Sequence, residues 1–240
     1  MSMPNARDTS GGLKPRRPNT LKKLDRVTKA LRHEESDRVP VSDFFWGSFI
    51  PCWRREPSLP DDVNPTYYYD LDHVVTLSNM DPWIRPFEML KETQSEVVAK
   101  TGFGVILHKR FELPMPEMRG WETDSFEKLE RVEFDDPQDR RRFYEGGDNQ
   151  LAGVGDGFER NSPPWIETVK SQRPDLPVYG SMIEASECLT RLIGQHHSML
   201  WMGEYPERMG AVVNRIGAHY LECAKAEIDT GKGLLDGFLI

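Results

Sequence analysis

The 240-residue chain is poor in cysteine, a feature that helps to assign the redox compartment of a protein. Its three cysteines, Cys52, Cys188 and Cys223, lie far apart and include no CxxC pair. This spacing argues against a disulfide framework and gives no sign of zinc-finger or dithiol chemistry. The cysteines are therefore predicted to be free thiols in a reducing compartment.

Long apolar runs and an excess of positive charge are also missing. No apolar run approaches the roughly 20 residues that a membrane-spanning helix needs, and no apolar segment follows the basic residues near the start as a signal peptide requires. The chain carries 31 Lys and Arg against 39 Asp and Glu, a net charge of -8, which opposes attraction to phosphate backbones. We expect a cytoplasmic protein with neither a membrane nor a nucleic-acid partner.

Apolar residues make up 38% of the chain, which is enough for a sizeable core. Residues 1–19 are rich in Gly, Pro, Arg and Asn and are predicted to form a disordered tail, because they bury too little apolar surface to offset their ordering. Residues 20–240 are the predicted folded part.

Short apolar segments alternate with amphipathic ones along this folded part. Predicted strands are Val39–Val41 with Phe44 and Phe45, then residues 73–77, 177–182 and 234–240. Predicted helices lie at residues 20–33, 81–90, 136–144, 188–193 and 206–229, with a further helix start at 161–164. Such alternation indicates βαβ units and a parallel sheet. Residues 96–99 and 105–108 are predicted to form a separate hairpin through the glycines of Thr101–Gly104.

Several segments resemble the uroporphyrinogen decarboxylase superfamily in order and rough spacing. They are VTKALRHEESDRVPV (27–41), DLDHVVTLSNMDP (70–82), TGFGVI (101–106), PVYGSMIEASECLTRLIGQHHSMLWMGEYPERM (177–209) and LLDGFLI (234–240). The resemblance covers roughly residues 20–240 and implies an α/β fold, the TIM (β/α)8 barrel. Because a complete barrel takes about 250 residues, the expectation is a barrel truncated to about four βα units. Open edges at its first and fourth strands predict self-association.

The resemblance implies a tetrapyrrole or a corrinoid-linked substrate. One branch of the superfamily decarboxylates a porphyrinogen with an acidic residue and arginines, and the other transfers a methyl group from a corrinoid with the help of zinc. Phe45 and Phe49 match the decarboxylase arginines, Asn79 matches the acidic residue, and the family tyrosine falls on or next to Arg191. These departures favour methyl transfer, with decarboxylation as the alternative. A non-catalytic, truncated or ligand-binding relative is a third alternative.

The cofactors implied are zinc and a corrinoid in a full-length protein, since the family takes its zinc ligands from the far half of the barrel. No metal ligand is predicted in this chain. The adjacent His196 and His197 would point about 100° apart on a helix, which does not suit a shared metal ion. The glycine-rich run 153–157 is predicted to be a flexible loop, because no strand precedes it.

Barrel enzymes place their chemistry at the carboxyl ends of strands. The predicted catalytic residues are Asp43, Asn79, Asp81 and Glu184. The predicted substrate-binding residues are Ser42, Arg54, Arg55, Ser181 and Arg191. Each has a structural alternative, such as helix capping by Asp81 before Pro82. Aromatic residues could either stack on a flat macrocycle or cover the barrel mouth, namely Trp46, Trp53 and Tyr67 to Tyr69.

Overall fold

The computed structural model describes residues 13–45, 49–56, 63–113, 115–146 and 162–240, and within them a parallel sheet of three strands carries the candidate site. Its strands are β1 (Val74–Thr76), β6 (Val178–Ser181) and β7 (Gly237–Leu239), in the order β1-β6-β7. Val74 pairs with Val178, and Tyr179 pairs with Gly237. All three strands were predicted, and these predictions are confirmed. Their β-branched and apolar residues suit a sheet that is covered by helices.

A second sheet is antiparallel and lies between β1 and β6 in the chain. It has four strands in sequential order, β2 (Glu88–Glu92), β3 (Glu96–Lys100), β4 (Val105–Arg110) and β5 (Glu117–Trp121). The predicted hairpin is confirmed as β3 and β4, in which Val98 pairs with His108. The glycine turn works as expected, because Gly104 has a φ of 67°.

Eight helices are present in the described part of the chain. They are α1 (Pro18–Leu31), α2 (Phe49–Trp53), α3 (Pro65–Tyr68), α4 (Phe126–Glu130), α5 (Arg141–Tyr144), α6 (Trp165–Gln172), α7 (Ala185–Glu204) and α8 (Pro206–Thr230). The long helix predicted at 206–229 is confirmed as α8. Its neighbour α7 runs past the predicted stop at Gly194, where a φ of 78° marks a kink. The two helices pack on each other.

The predicted barrel of parallel βα units is wrong. Among the residues that the structure describes, parallel pairing is confined to three strands, and the four strands from Glu88 to Trp121 pair only antiparallel in a sheet of their own. Residues 81–90 were predicted to form a helix, yet residues 81–87 are not helical and β2 starts at Glu88. The fold is therefore a mixed α/β arrangement of two separate sheets. After β1, where a barrel would continue with alternating helices and parallel strands, the chain instead forms antiparallel strands that pair with their sequence neighbours.

The first predicted strand, Val39–Val41 with Phe44 and Phe45, is also wrong. These residues belong to no sheet ladder. The Val41 N–H donates to the Asp72 carboxylate at 2.7 Å and the Asp72 N–H donates to the Val41 carbonyl at 2.7 Å, so both bonds go to a single residue that precedes β1. Pro40 has no N–H to offer to a ladder, which explains why the apolar pattern does not produce a strand here.

Helix α1 docks on the start of the parallel sheet through polar contacts. The Thr20 hydroxyl donates to the Pro174 carbonyl at 2.6 Å, and the Lys23 ammonium donates to the Leu71 carbonyl at 2.7 Å. Arg26 pairs with Asp37 and with Asp72, whose side chain is fully buried. The apolar side chains Leu21 and Leu31 of this helix are exposed, while Val27 is buried. Buried hydrogen bonds therefore fix α1 in place more than apolar packing does.

The largest hydrophobic cluster lies where α7 and α8 meet the antiparallel sheet and α4. It includes Leu192, Ile216 and Tyr220 from the two helices and Val105 from β4. A smaller cluster joins Trp165 and Val169 of α6 to Val178 of β6 and Leu234. These two clusters leave the loop after β1 enclosed between α7, α8 and the antiparallel sheet.

Candidate functional site

The loop that follows β1, residues 78–81, is buried throughout. Three buried side chains from other elements hold its main chain. Glu227 of α8 accepts from the Ser78 N–H at 3.0 Å, and the Tyr220 hydroxyl donates to the Met80 carbonyl at 3.0 Å. Arg142 donates to the carbonyls of residues 79 and 81 at 2.9 and 2.8 Å. Because nearly every main-chain group has a fixed partner, the loop is preorganised.

Arg142 is the largest fully buried side chain of the described residues. Its guanidinium donates hydrogen bonds only to main-chain carbonyls of these residues. Besides the two carbonyls of the loop, it donates to the carbonyls of Asp136 at 3.0 Å and Asp135 at 3.1 Å. A guanidinium has five N–H donors in a rigid fork, which suits four acceptors in one plane. Its charge therefore stays next to the loop and attracts the Asp81 carboxylate.

The carboxyl group of Asp81 is the most unusual group of the loop. Its Oδ2 atom is buried and accepts no hydrogen bond, although its own N–H donates to the Asn79 Oδ1 atom at 2.9 Å. Burial raises the pKa of Asp81 from 3.8 to about 7, against the opposing attraction of Arg191, Arg142 and Arg85. A carboxyl with such a pKa can both accept and donate a proton near neutral pH.

Gly102 closes the space beside this carboxyl. A Cβ atom at residue 102 would lie 2.3 Å from Asp81 Oδ2 and 2.5 Å from the Trp83 carbonyl oxygen. The backbone N–H of Gly102 also favours the ionised form of Asp81, although it does not satisfy Oδ2. Only glycine lets the turn between β3 and β4 approach the loop this closely.

Arg191 lies on α7 at the outer side of the loop. Its guanidinium donates to the Glu187 carboxylate at 2.5 Å and lies over the Phe103 ring, 5.2 Å from the ring centre. Arg191 and Glu187 are each a little under half exposed. An ion pair with this exposure contributes about 0–1 kcal/mol, so an incoming anion can replace Glu187 at little cost.

The predicted site residues divide into three groups. Asn79, Asp81 and Arg191 lie together, with Ser181 nearby at the end of β6, where its hydroxyl donates to the Leu239 carbonyl at 3.1 Å. Glu184 is exposed at the start of α7 and accepts only from the Ser186 hydroxyl at 3.2 Å. It therefore does not point to a buried site.

The other predicted residues belong to the amino end of β1. The Ser42 hydroxyl donates to the His73 carbonyl at 2.9 Å, just before the strand begins. Asp43 is exposed, and its carboxylate accepts from the Phe44 N–H at 2.8 Å. Arg54 and Arg55 are exposed at the end of α2. These four residues are separated from Asp81 by the length of the strand.

Sequence reasoning missed the groups that organise the loop, including Glu227. This side chain is fully buried, and its second oxygen accepts from the Ser181 N–H at 3.2 Å. Burial raises the pKa of Glu227 to about 7. A signal was present: Glu227 continues the buried α8 stripe of Tyr220 and Cys223, whereas its apolar neighbour Ile228 is exposed. A charged residue in an apolar stripe marks a buried functional or structural contact.

The aromatic residues near α2 form a cluster of stacked rings. Phe45 stacks on Phe49 at 5.1 Å and on Tyr69 at 6.2 Å, and Trp53 donates from its ring nitrogen to the Tyr69 hydroxyl at 2.9 Å. Tyr69 is half exposed while Trp53 is buried. Trp46 and the run 153–157 lie outside the described residues. The cluster is therefore exposed at Tyr69 and buried at Trp53.

The histidines and cysteines of the described residues have structural contacts. The His197 ring stacks on Trp201 at 4.9 Å, and burial raises the pKa of the Cys188 thiol to about 12 and that of Cys223 to about 11. Among the residues with described positions, no group of three or more His, Cys, Asp or Glu side chains is arranged to hold a metal ion. Over the same residues, no helix is both long enough and apolar enough to cross a membrane.

Comparison with known proteins adds no relative: no protein-family model, no curated protein and no solved structure matches this chain. The resemblance to the uroporphyrinogen decarboxylase superfamily stays a prediction from the sequence motifs. The geometry around Asp81 is therefore the main indication of function.

Proposed function

We propose that the loop after β1 and the start of α7 form a proton-transfer site for a carboxylate-bearing tetrapyrrole. Asp81 donates and accepts the proton, and Arg191 binds a carboxylate of the substrate. The observation that carries the proposal is the Asp81 carboxyl group, which is buried with one oxygen unpartnered and has a pKa of about 7. Such a group is costly to keep, and perturbed acids of this kind cluster at functional sites.

The three arginines near Asp81 have different tasks. Arg142 is committed to four carbonyls and holds the loop, and Arg85 is paired with Glu122 at 2.5 Å. Arg191 donates to the half-exposed Glu187 carboxylate, whereas Arg85 also donates to the Thr101 carbonyl at 3.3 Å. A planar guanidinium binds a carboxylate with two parallel hydrogen bonds, so Arg191 is the residue that can take a substrate carboxylate.

The reaction that fits these residues is decarboxylation, the alternative of the sequence analysis. The bond between the substrate carbon and its carboxyl group breaks, carbon dioxide leaves, and the electron pair left on carbon takes a proton from Asp81. The ionised Asp81 is then stabilised by the nearby arginines until it is protonated again from solvent. The substrate class comes from the resemblance alone.

Methyl transfer, which the sequence motifs favoured, draws no support from the described residues. In that reaction zinc would activate the thiol that accepts the methyl group, and a corrinoid would supply the methyl group. Within the described residues, neither buried cysteine belongs to a group of three or more side chains that could hold a metal ion. Methyl transfer would have to rely on ligands other than these. A cytoplasmic location also stays a prediction.

A ligand-binding role without catalysis is the second candidate. The enclosed Oδ2 atom of Asp81 favours it, because a substrate cannot reach that oxygen unless the loop or Gly102 moves. In this role, Arg191 would bind the ligand carboxylate and Asp81 would only tune the local charge. The two roles differ in whether the Asp81→Asn variant keeps binding.

Binding is tested first with uroporphyrin, a stable porphyrin that carries carboxylates, by following its absorbance and the quenching of tryptophan fluorescence. We expect the Arg191→Gln variant to bind roughly 10 to 100 times more weakly, as the loss of a charged hydrogen-bond donor predicts. The matched control is Arg32→Gln, an exposed arginine that follows α1. Equal binding by wild type and Arg191→Gln would contradict the proposal.

Catalysis is tested by measuring carbon dioxide released from uroporphyrinogen. We expect release by the wild type and its loss in Asp81→Asn, with uroporphyrin binding retained. Binding without any release by the wild type would leave the non-catalytic role and overturn proton transfer to the substrate. Full release by Asp81→Asn would overturn the role of Asp81.

A further inference from the structure

Glu227 links the ends of two neighbouring strands to a helix. Its two carboxylate oxygens accept from the Ser78 N–H at 3.0 Å and from the Ser181 N–H at 3.2 Å. Ser78 follows β1, and Ser181 ends β6, so one side chain of α8 holds both strand ends at once. Both serines come just before residues of the candidate site.

The fold makes room for this carboxylate. A Cβ atom at Gly180 would lie 2.6 Å from Glu227 Oε1, so any larger residue in the middle strand would displace it. The same position faces Phe238 and Leu235, which are apolar. The Glu227 carboxylate is therefore enclosed by Gly180, which has no side chain, and by apolar groups. Its main polar partners are the N–H groups of Ser78 and Ser181.

Few ionisable groups act on Glu227. On α8, Cys223 interacts with it electrostatically, and the Cys223 thiol is neutral because burial raises its pKa to about 11. In the loop after β1, the titrating group nearest in sequence to Ser78 is Asp81, which lies three residues further along the chain. Within the described residues, no Lys, Arg or His forms an ion pair with Glu227, so its charge is balanced by the Ser78 hydroxyl and by the N–H groups of Ser78 and Ser181.

We propose that Glu227 is a proton-sensitive clamp, which ties the ends of β1 and β6 to α8 when it is ionised and loosens one of them when it is protonated. An ionised carboxylate offers two acceptor oxygens to the two N–H groups. Protonation turns one oxygen into a hydroxyl, which is a weaker acceptor and brings a third donor to a place that already has two. The clamp is independent of any proton transfer by Asp81.

The consequence is a link between pH and the loop of the candidate site. With Glu227 ionised, the loop is held at the Ser78 N–H by Glu227 and at the Met80 carbonyl by Tyr220. Arg142 holds the carbonyls of the residues on either side of Met80. With Glu227 protonated, the hold at Ser78 weakens, and the loop gains freedom at its first residue. Because Glu227 has a pKa of about 7, the change falls in the neutral range.

The experiment is a pH titration of the backbone amides by two-dimensional NMR from pH 5.5 to pH 8.5. We expect the Ser78 and Ser181 amide protons of the wild type to shift together with a midpoint near pH 7, downfield as Glu227 ionises, because an N–H that donates to a carboxylate is deshielded. The Asp81→Asn variant keeps this shared transition, and the Glu227→Gln variant loses it. The matched control is Glu222→Gln, an exposed carboxylate of the same helix that pairs with Lys225 at 2.7 Å.

The outcomes separate the clamp from the other titrating group. Flat Ser78 and Ser181 shifts in the wild type, or loss of the transition in Asp81→Asn, would overturn the proposal. If Glu227→Gln does not fold, the wild type still decides, since its glutamate carboxyl carbons can be titrated directly by ¹³C NMR. One of them must then follow the same midpoint as the two amides, and the absence of such a carboxyl would contradict the clamp.

Discussion

Replacing Asp81 with asparagine should change how the stability of the protein depends on pH. The folded-state pKa of about 7 lies above the unfolded value of 3.8, so the folded state holds the proton more tightly. The stability that this shift contributes is fully present below pH 3.8 and is lost as the pH rises through 7. The whole shift corresponds to roughly 4 kcal/mol, of which roughly 2 to 3 kcal/mol falls between pH 5 and pH 8.

Asparagine has nearly the same shape and does not titrate, so the variant escapes this loss. Urea unfolding at pH 5 and pH 8 gives the free energy of unfolding of both proteins. We expect the difference, variant minus wild type, to rise by roughly 2 to 3 kcal/mol between the two values. Contributions from Glu227 are present in both proteins and cancel in this difference.

The matched control is Asp43→Asn, which makes the same change at an exposed aspartate. Its difference from the wild type should stay constant with pH within about 0.5 kcal/mol, the range of ordinary surface substitutions. If Asp81→Asn also shows a constant difference, Asp81 is ionised at neutral pH in the folded protein, and the reasoning about burial is refuted.

Three further predictions concern the surroundings of the loop. Gly102→Ala should destabilise the protein by about 1 to 3 kcal/mol in urea unfolding, because its Cβ would lie 2.3 Å from Asp81 Oδ2. The control is Gly210→Ala inside α8, where an added Cβ would have no atom within 4 Å; it should stabilise the protein by up to about 1 kcal/mol. Arg142→Met should cost about 3 to 5 kcal/mol in the same assay, since it leaves four carbonyls without a donor, whereas Arg141→Gln, at an exposed arginine, should cost under about 1 kcal/mol. The sheet edges at β1 and β7 should drive self-association, seen as concentration-dependent sedimentation, and a monomer at all concentrations would contradict it.

The strands of the parallel sheet and helix α8 could be predicted from the sequence because local pattern and tertiary structure agree there. Val74 and Val75 are β-branched, and Val178 continues an apolar run, so each favours a buried strand. In α8, apolar residues recur at helical spacing from Met209 to Ala224 and face the core. Where period and burial coincide, the sequence is a sound guide.

Elsewhere, long-range contacts override the local pattern. The first predicted strand contains Pro40 and is held by the Asp72 carboxylate, a contact that no local periodicity reports. Helix α1 buries Lys23 and Arg26 instead of Leu21, because its partners are a carbonyl and two carboxylates from distant segments. A polar buried face looks like a solvent-exposed one in the sequence.

The candidate site was predictable in part for a similar reason. Ligands of parallel sheets bind beyond the carboxyl ends of strands. Asn79 and Asp81 follow a predicted strand, so their position alone predicted them as site residues. Arg191 was selected by its alignment with a family position and lies near Asp81 in the structure. Arg142 lies in a short polar helix among other arginines, Arg140 and Arg141, and only the fold distinguishes it from them.

The central claim is that the carboxyl group of Asp81 holds its proton up to neutral pH. The direct test is a ¹³C NMR titration of its carboxyl carbon, assigned by comparison with the Asp81→Asn variant. We predict a midpoint near pH 7. A midpoint near 3.8, the ordinary pKa of an aspartate, would contradict the claim that Asp81 holds its proton up to neutral pH.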